Sequence, residues 1–411
     1  MSSCKLFDSL PKPRDDIDFE SLPWNLNCPE AHNYVLVKTT SGKWEQTHYD
    51  PEVDDGEVCN SIFPYVSTPL NVYPSTTSLN YGTTIWEGLK CFRTSKGRAA
   101  VFRPDMNFKR LCNGADALCL PKPSYELFMR GIQSAIQANG DLIPPYGDGM
   151  KLYIRPLLMG SGQQLGLYPS PEFSLIFYVS PTGNYFKGKA MGGLKIHLET
   201  KYSRASRGGL GSAKCSGNYA ITLRPLEEAK KQGFNDNLYL DLETYKEGNL
   251  NEAIIQELSA ANVFLVLKTG EIVTPCLKKG TILPGVTRDS VIQLVKEVAS
   301  ELQSPFQEST GKGDKKVFIS ERDVKVSDFL NATEAFITGT AAEIVPLGSL
   351  ATGEGEENFS ITLPHENGGP VTLKILEILR EVMYEKRAPT DTTKTWLPNP
   401  FTSSENFRLL S

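Results

Sequence analysis

A glycine-rich run, Phe186-Lys187-Gly188-Lys189-Ala190-Met191-Gly192-Gly193, separates two apolar stretches of this chain, and neither side of it reads as one kind of secondary structure. Upstream, Tyr34 to Lys38, Leu152 to Met159 and Phe173 to Ser180 read as strands, whereas Met106 to Leu120 and Tyr125 to Ala138 have helical spacing. Downstream, Asn237 to Leu242, Val263 to Leu267 and Ala335 to Thr338 read as strands. The segment from Thr287 to Leu302 is an amphipathic helix, with Val291, Ile292, Leu294, Val295, Val298 and Leu302 near helical spacing, and a C-terminal helix covers about Val371 to Tyr384. Strands mixed with helices in both halves predict an α+β fold in two domains, and 411 residues exceed one ordinary core. The expected division is an arm over 1–31, a smaller α+β domain over 32–187, an interdomain connection over 188–200 and a larger domain over 201–411. Residues 303–316 and 351–369, rich in Gly, Ser, Glu and Lys, read as solvated loops.

Charge and composition exclude several classes of function. A formal net charge of −5, without a long Lys/Arg cluster interleaved with aromatics, argues against a nucleic-acid partner. No apolar run approaches the length of a membrane span. The N-terminus lacks a signal-peptide core and carries Asp15, Asp16, Asp18 and Glu20 where an organellar transit peptide avoids acids, so a cytoplasmic location is expected. The eight cysteines are scattered without a Cys-x-x-Cys pair and read as free buried thiols, and the four histidines stand apart from one another, so no metal site is signalled.

What carries chemistry is Lys214. It follows Arg204 and the run Gly208-Gly209-Leu210-Gly211-Ser212-Ala213, and precedes Gly217-Asn218-Tyr219. A lysine in an irregular glycine-rich stretch, with a tyrosine five residues on, suits an amine that condenses with an aldehyde cofactor and then swings free, which is pyridoxal phosphate chemistry. Glu257, feeding into the apolar strand through Ala261-Asn262-Val263-Phe264, offers the carboxylate that keeps a pyridine nitrogen protonated, with Glu252 as its rival. The turn Gly280-Thr281-Ile282-Leu283-Pro284-Gly285-Val286-Thr287 opens a helix and offers exposed amides plus a hydroxyl to a phosphate. Thr338-Gly339-Thr340-Ala341-Ala342 ends a strand with small residues that let amides approach an anion. Arg110, read at the start of a helical stretch, is a candidate fork for the phosphate. In Leu152-Tyr153-Ile154-Arg155-Pro156, strand alternation puts Tyr153 and Arg155 on one face, a pair suited to a substrate carboxylate.

Together with Leu79-Asn80-Tyr81-Gly82, Trp86-Glu87-Gly88-Leu89-Lys90, Gly183-Asn184-Tyr185-Phe186 and Leu283-Pro284-Gly285-Val286-Thr287-Arg288, these blocks resemble the branched-chain amino-acid aminotransferases of the fold-type-IV pyridoxal phosphate enzymes, from about Tyr34 to Leu379. The resemblance implies a two-domain α+β fold with pyridoxal 5'-phosphate at the domain interface. Lys214 then matches the Schiff-base lysine, Tyr219 the tyrosine on the ring hydroxyl and Glu257 the partner of the pyridine nitrogen. Arg110, Val286, Thr287 and Thr340 match the phosphate binders, with Arg204 steering the same region. Tyr81, Trp86, Tyr153, Arg155 and Tyr185 match the substrate wall, and the Thr340 and Ala341 amides the α-carboxylate site. Leu165 and Leu167 match a loop reaching the partner subunit's site, which implies a homodimer. The implied activity exchanges the amino group between leucine, isoleucine or valine and 2-oxoglutarate, giving 2-oxo acids and glutamate. A D-amino-acid aminotransferase or an aminodeoxychorismate lyase is the nearest alternative. Trp86 departs from the family's usual phenylalanine, which is expected to reshape the apolar wall, and extra residues around Glu243 to Gln256 precede Glu257.

Overall fold

The structure is a computed structural model that describes residues 10–22, 34–40, 42, 44, 65–66, 69–147, 149–183, 193–311, 315–398 and 400. They fall into two compact units, one drawing on Met1–Tyr185, Ala213–Ser216 and Val382–Ser411, the other on Phe186–Ser212 and Gly217–Glu381.

The first unit contains β1 (Tyr34–Thr39), β2 (Tyr65–Val66), α1 (Thr77–Tyr81), β3 (Thr84–Trp86), β4 (Leu89–Arg93), β5 (Ala99–Val101), α2 (Pro104–Ala117), α3 (Tyr125–Gln137), β6 (Lys151–Gly160) and β7 (Phe173–Thr182). Its sheet runs β2-β1-β7-β6-β4-β5, with β3 also on β6. The long β6–β7 ladder pairs Tyr153 with Ser180 and Arg155 with Tyr178, while Trp86 on β3 pairs with Leu157. Paired residues and residues two apart share a face, so Tyr153, Arg155, Tyr178 and Trp86 stand on the same side of the sheet. Phe128, Ile132, Ala135 and Ile136 of α3 bury one helical stripe in a core with Val35, Leu175 and Phe177. Helix α2 starts at Pro104, earlier than the expected Met106, so Arg110 lies in its middle rather than at its start.

The chain from Val382 onward returns to this first unit. Tyr384 packs edge-on against Phe92, and Trp396 against Phe102. Arg98 donates to both oxygens of Glu385, and the amides of Val101 and Arg103 donate to the carbonyls of Pro398 and Trp396.

The second unit contains β8 (Leu194–Glu199), α4 (Ser216–Ala220), α5 (Leu223–Lys231), β9 (Asp236–Leu240), β10 (Ile255–Leu258), β11 (Asn262–Leu267), β12 (Glu271–Pro275), α6 (Val286–Val298), α7 (Gln303–Thr310), β13 (Phe318–Arg322), β14 (Ala332–Gly339), β15 (Glu343–Ala351), β16 (Ser360–Thr362) and α8 (Pro370–Met383). Its sheet runs β10-β9-β8-β15-β14-β11-β12-β13, with β16 added on β15. Every residue of β11 is buried, as the uninterrupted apolar run predicts, and Phe264 stacks on Phe336 of β14 at 4.9 Å.

Strands and helices in both units make the fold α+β. Three local expectations need correction. Leu194–Glu199 is a strand, not part of a connection through 200, because Ile196 and Leu198 go into the core between β9 and β15. Residues 303–310 form α7 rather than a solvated loop. Its one large apolar residue, Phe306, is fully buried, and Gly311 ends it in the left-handed conformation at φ 67°. Cys119 is exposed, unlike the buried Cys91 and Cys215, and Cys112 and Cys276 are half-buried; Cys4, Cys28 and Cys59 lie outside the described residues.

Candidate active site

Lys214 belongs by its contacts to the first unit. The flanking Ala213 and Cys215 are buried in that unit's core, Cys215 forms an isolated bridge with Ile85, and the amide of Trp86 donates to the carbonyl of Lys214 at 3.0 Å. The irregular glycine-rich approach therefore ends on a pinned backbone. Its Nζ lies 3.7 Å from the centroid of the Trp86 indole.

A second cation shares that indole. The Arg155 guanidinium carbon is 4.1 Å from the Trp86 centroid and 5.3 Å from that of Tyr153, and Arg155 donates to the Tyr153 hydroxyl at 3.5 Å. No carboxylate of the described residues pairs with Arg155, and its Nε is buried without an acceptor. Burial pushes the Tyr153 phenol above its ordinary pKa, so it stays protonated. Gly88 makes the arrangement possible: a Cβ there would sit 1.9 Å from the Tyr153 hydroxyl.

Next to Trp86 in sequence, Glu87 is fully buried and holds Arg110 through two bonds of 2.7 Å, to Nε and Nη2, while the Asn107 amide also donates to it at 2.7 Å. The fork of Arg110 thus rests on Glu87 and not on an open site. Tyr81 ends α1 and its hydroxyl donates to the Leu165 carbonyl; Leu165 and Leu167 are 78% and 77% exposed. Tyr185 lies outside the described residues.

The second unit gathers the remaining candidates that carry charge. Glu257 on β10 is 2% exposed, accepts from the Leu283 amide at 2.8 Å and from Asn262 Nδ2 at 2.9 Å, and forms an ion pair with Arg204 Nη1 at 2.7 Å. Glu252 is exposed and pairs with Lys325 at 2.6 Å, which marks it as a surface acid. Asn262 also donates to the Leu283 carbonyl, and a Cβ on Gly285 would fall 2.0 Å from its Oδ1. Asn262, which the sequence reading passed over except as a marker for Glu257, is the residue that ties this carboxylate to the turn before α6.

Helix α6 begins at Val286 and Thr287 with Gly285 extended at its N-cap and no side-chain cap, so no cap side chain competes with an anion for its first amides. Arg204, placed with the phosphate group by its sequence position, instead pairs with Glu257, yet its buried Nε has no acceptor. An uncapped helix start and an unsatisfied guanidinium nitrogen fit a phosphate-bearing group, and a buried carboxylate fits a protonated ring nitrogen, so these residues suit pyridoxal 5'-phosphate. Thr340 and Ala341 are half-buried in the turn between β14 and β15. Tyr219 is half-buried in α4. No group of described His, Cys, Asp or Glu residues is arranged to hold a metal ion.

Known proteins resemble this chain over most of its length. The amino-transferase class IV family matches residues 90–350. The chain is 36% identical over 335 residues to branched-chain-amino-acid aminotransferase 5, chloroplastic, of Arabidopsis thaliana, spanning 82% of this chain and 70% of that one. It is 38% identical over 389 residues to a methionine aminotransferase of the same plant, spanning 94% and 96%. Among solved structures, the branched-chain amino acid aminotransferase of Escherichia coli superposes with a TM-score of 0.63 at 25% identity, covering 80% of this chain and 94% of that one. Relatives of this kind do not favour the D-amino-acid aminotransferase or lyase alternative. The match over most of the chain, at these identities, means that the chain belongs to the class IV aminotransferases, in their branched-chain amino-acid group.

Proposed function

We propose that this enzyme exchanges the amino group between leucine, isoleucine or valine and 2-oxoglutarate, with Lys214 as the catalytic residue. The observation that carries the reading is Lys214 Nζ beside an arginine that has no carboxylate partner, both against one indole. A reacting amine next to an unpaired guanidinium suits substrates that bring an amino group and, in the glutamate half, a second carboxylate. Pyridoxal 5'-phosphate supplies the aldehyde that takes up the amino group and a ring that accepts the electron pair released at the α-carbon. Lys214 would hold it at rest and would carry the substrate's α-proton as base and then acid. Glu257, dry and held by the Leu283 amide, Asn262 and Arg204, would pair with the ring nitrogen. The Val286 and Thr287 amides, Arg204, Arg110 and Thr340 hold the phosphate, Tyr219 the ring hydroxyl, and the Ala341 amide the α-carboxylate. Tyr81, Trp86, Tyr153, Tyr185 and Leu165 line the substrate side.

The enzyme works as a homodimer, supported by Leu165, Leu167 and Tyr168 standing exposed on one loop. No described helix is long and apolar enough to cross a membrane. A cytoplasmic location is our reading, set against relatives named chloroplastic, and microscopy of a fluorescent fusion decides between the two. The experiment for function is to incubate the purified protein with each branched-chain amino acid, or methionine, and 2-oxoglutarate, and to assay glutamate. Glutamate formation with leucine, isoleucine and valine is expected. Its absence with all three overturns the reading.

A further inference from the structure

Trp86 was expected to act on the apolar side chains of substrates, yet its closest cationic neighbours are Lys214 and Arg155. A guanidinium lying over a ring at 4.1 Å uses its π-face and none of its N–H donors. Arg155 bonds phenols and no carboxylate: the Tyr153 hydroxyl at a long 3.5 Å and Tyr178, opposite in the β6–β7 ladder, while its buried Nε has no acceptor. An arginine without a carboxylate to grip would ordinarily lose much of its orientation to rotamer freedom. Here two rings fix its plane.

We propose that Trp86 is a positioning residue for Arg155: the indole holds the guanidinium flat, with its donor edge open, so that the second carboxylate of a dicarboxylic substrate meets a preoriented fork. The proposal rests on the aminotransferase reading above and adds to it the residue that makes the site select dicarboxylates. Indole binds a cation better than a phenyl ring does, so a phenylalanine at this position holds Arg155 less firmly.

Trp86 also touches Lys214, so turnover alone does not isolate the effect. The ratio of two binding constants does. Glutarate and 4-methylpentanoate share one carboxylate and see the same Lys214; only glutarate brings the second carboxylate. Calorimetric titration of both acids into the cofactor-loaded protein gives a dissociation-constant ratio for wild type, Trp86→Phe, Arg155→Met and the double variant. Trp86→Phe is expected to cut the preference for glutarate by about three- to tenfold and to raise KM for glutamate more than it lowers kcat. In the Arg155→Met background the same substitution is expected to change the ratio less than twofold, because the residue through which Trp86 acts is gone. An unchanged ratio in Trp86→Phe, or an equal change in both backgrounds, overturns the proposal. A wild-type protein that makes no glutamate from leucine and 2-oxoglutarate overturns the functional reading itself, and the proposal falls with it.

Discussion

Lys214 sits on a backbone fixed from both sides. Buried Ala213 and Cys215 hold the backbone on either side, and the amide of Trp86 holds its carbonyl. Lys214→Ala is therefore expected to fold normally, to lose transamination by at least about a thousandfold and to lose the cofactor's protein-bound visible absorbance, which a spectrum of the purified variant checks. Glu257→Gln keeps the size of the side chain but removes the charge that two donors and the Arg204 guanidinium surround. A loss on the order of a hundredfold in kcat is expected for it, against no more than about twofold for Glu252→Gln, whose carboxylate only meets Lys325 at the surface. An inactive Glu252→Gln with a healthy Glu257→Gln would reverse the assignment. At this scale the sequence was most legible where a motif fixes residue order, as in Gly208 to Tyr219. It was mute where contacts join distant positions: nothing in the string tells that Trp86, Arg155 and Lys214 meet, or that Glu87 occupies the fork of Arg110, since pairing across 20 to 130 residues depends on strand register.

Among the elements, long periodic segments were read well and short ones poorly. Helix α3 and strand β11 carry enough apolar residues for their period to show, whereas α7 shows only Phe306 among Gln, Ser, Glu and Thr, so its burial is settled by tertiary packing. The segment after α8 is held by a different means, ion pairing at β4 and β5. Burial alone would raise the Glu385 carboxyl, and the Arg98 guanidinium more than offsets this, holding it below its ordinary value of 4.5. A carboxyl depressed in the folded state contributes stability that is present above the unfolded pKa and is lost as pH falls through the folded one. Arg98→Leu is thus expected to cost about 1–3 kcal/mol at pH 7 and less at pH 4, as measured by urea unfolding at both pH values. An equal cost at both would show that the contact is packing and not charge.

For the whole molecule, two features follow from how the chain is distributed. The exposed Leu165, Leu167 and Tyr168 are the largest apolar residues a single copy leaves uncovered on one loop. If this loop closes on a second copy, Leu165→Ser with Leu167→Ser is expected to shift the sedimentation equilibrium toward monomer by at least about tenfold in dissociation constant; an unchanged equilibrium places the dimer contact elsewhere. The other feature is the return of the chain to its first unit: Arg98 waits for Glu385, and Phe102 for Trp396, across nearly three hundred residues. During synthesis on the ribosome, the first half emerges without the strip that covers β4 and β5, and the second half can condense before that strip exists. The order of translation is then not the order of completion. The unit begun first is finished last, its apolar edge bare for most of the time the protein is being made, and the demand for chaperones falls on the N-terminal half rather than on the half still to come.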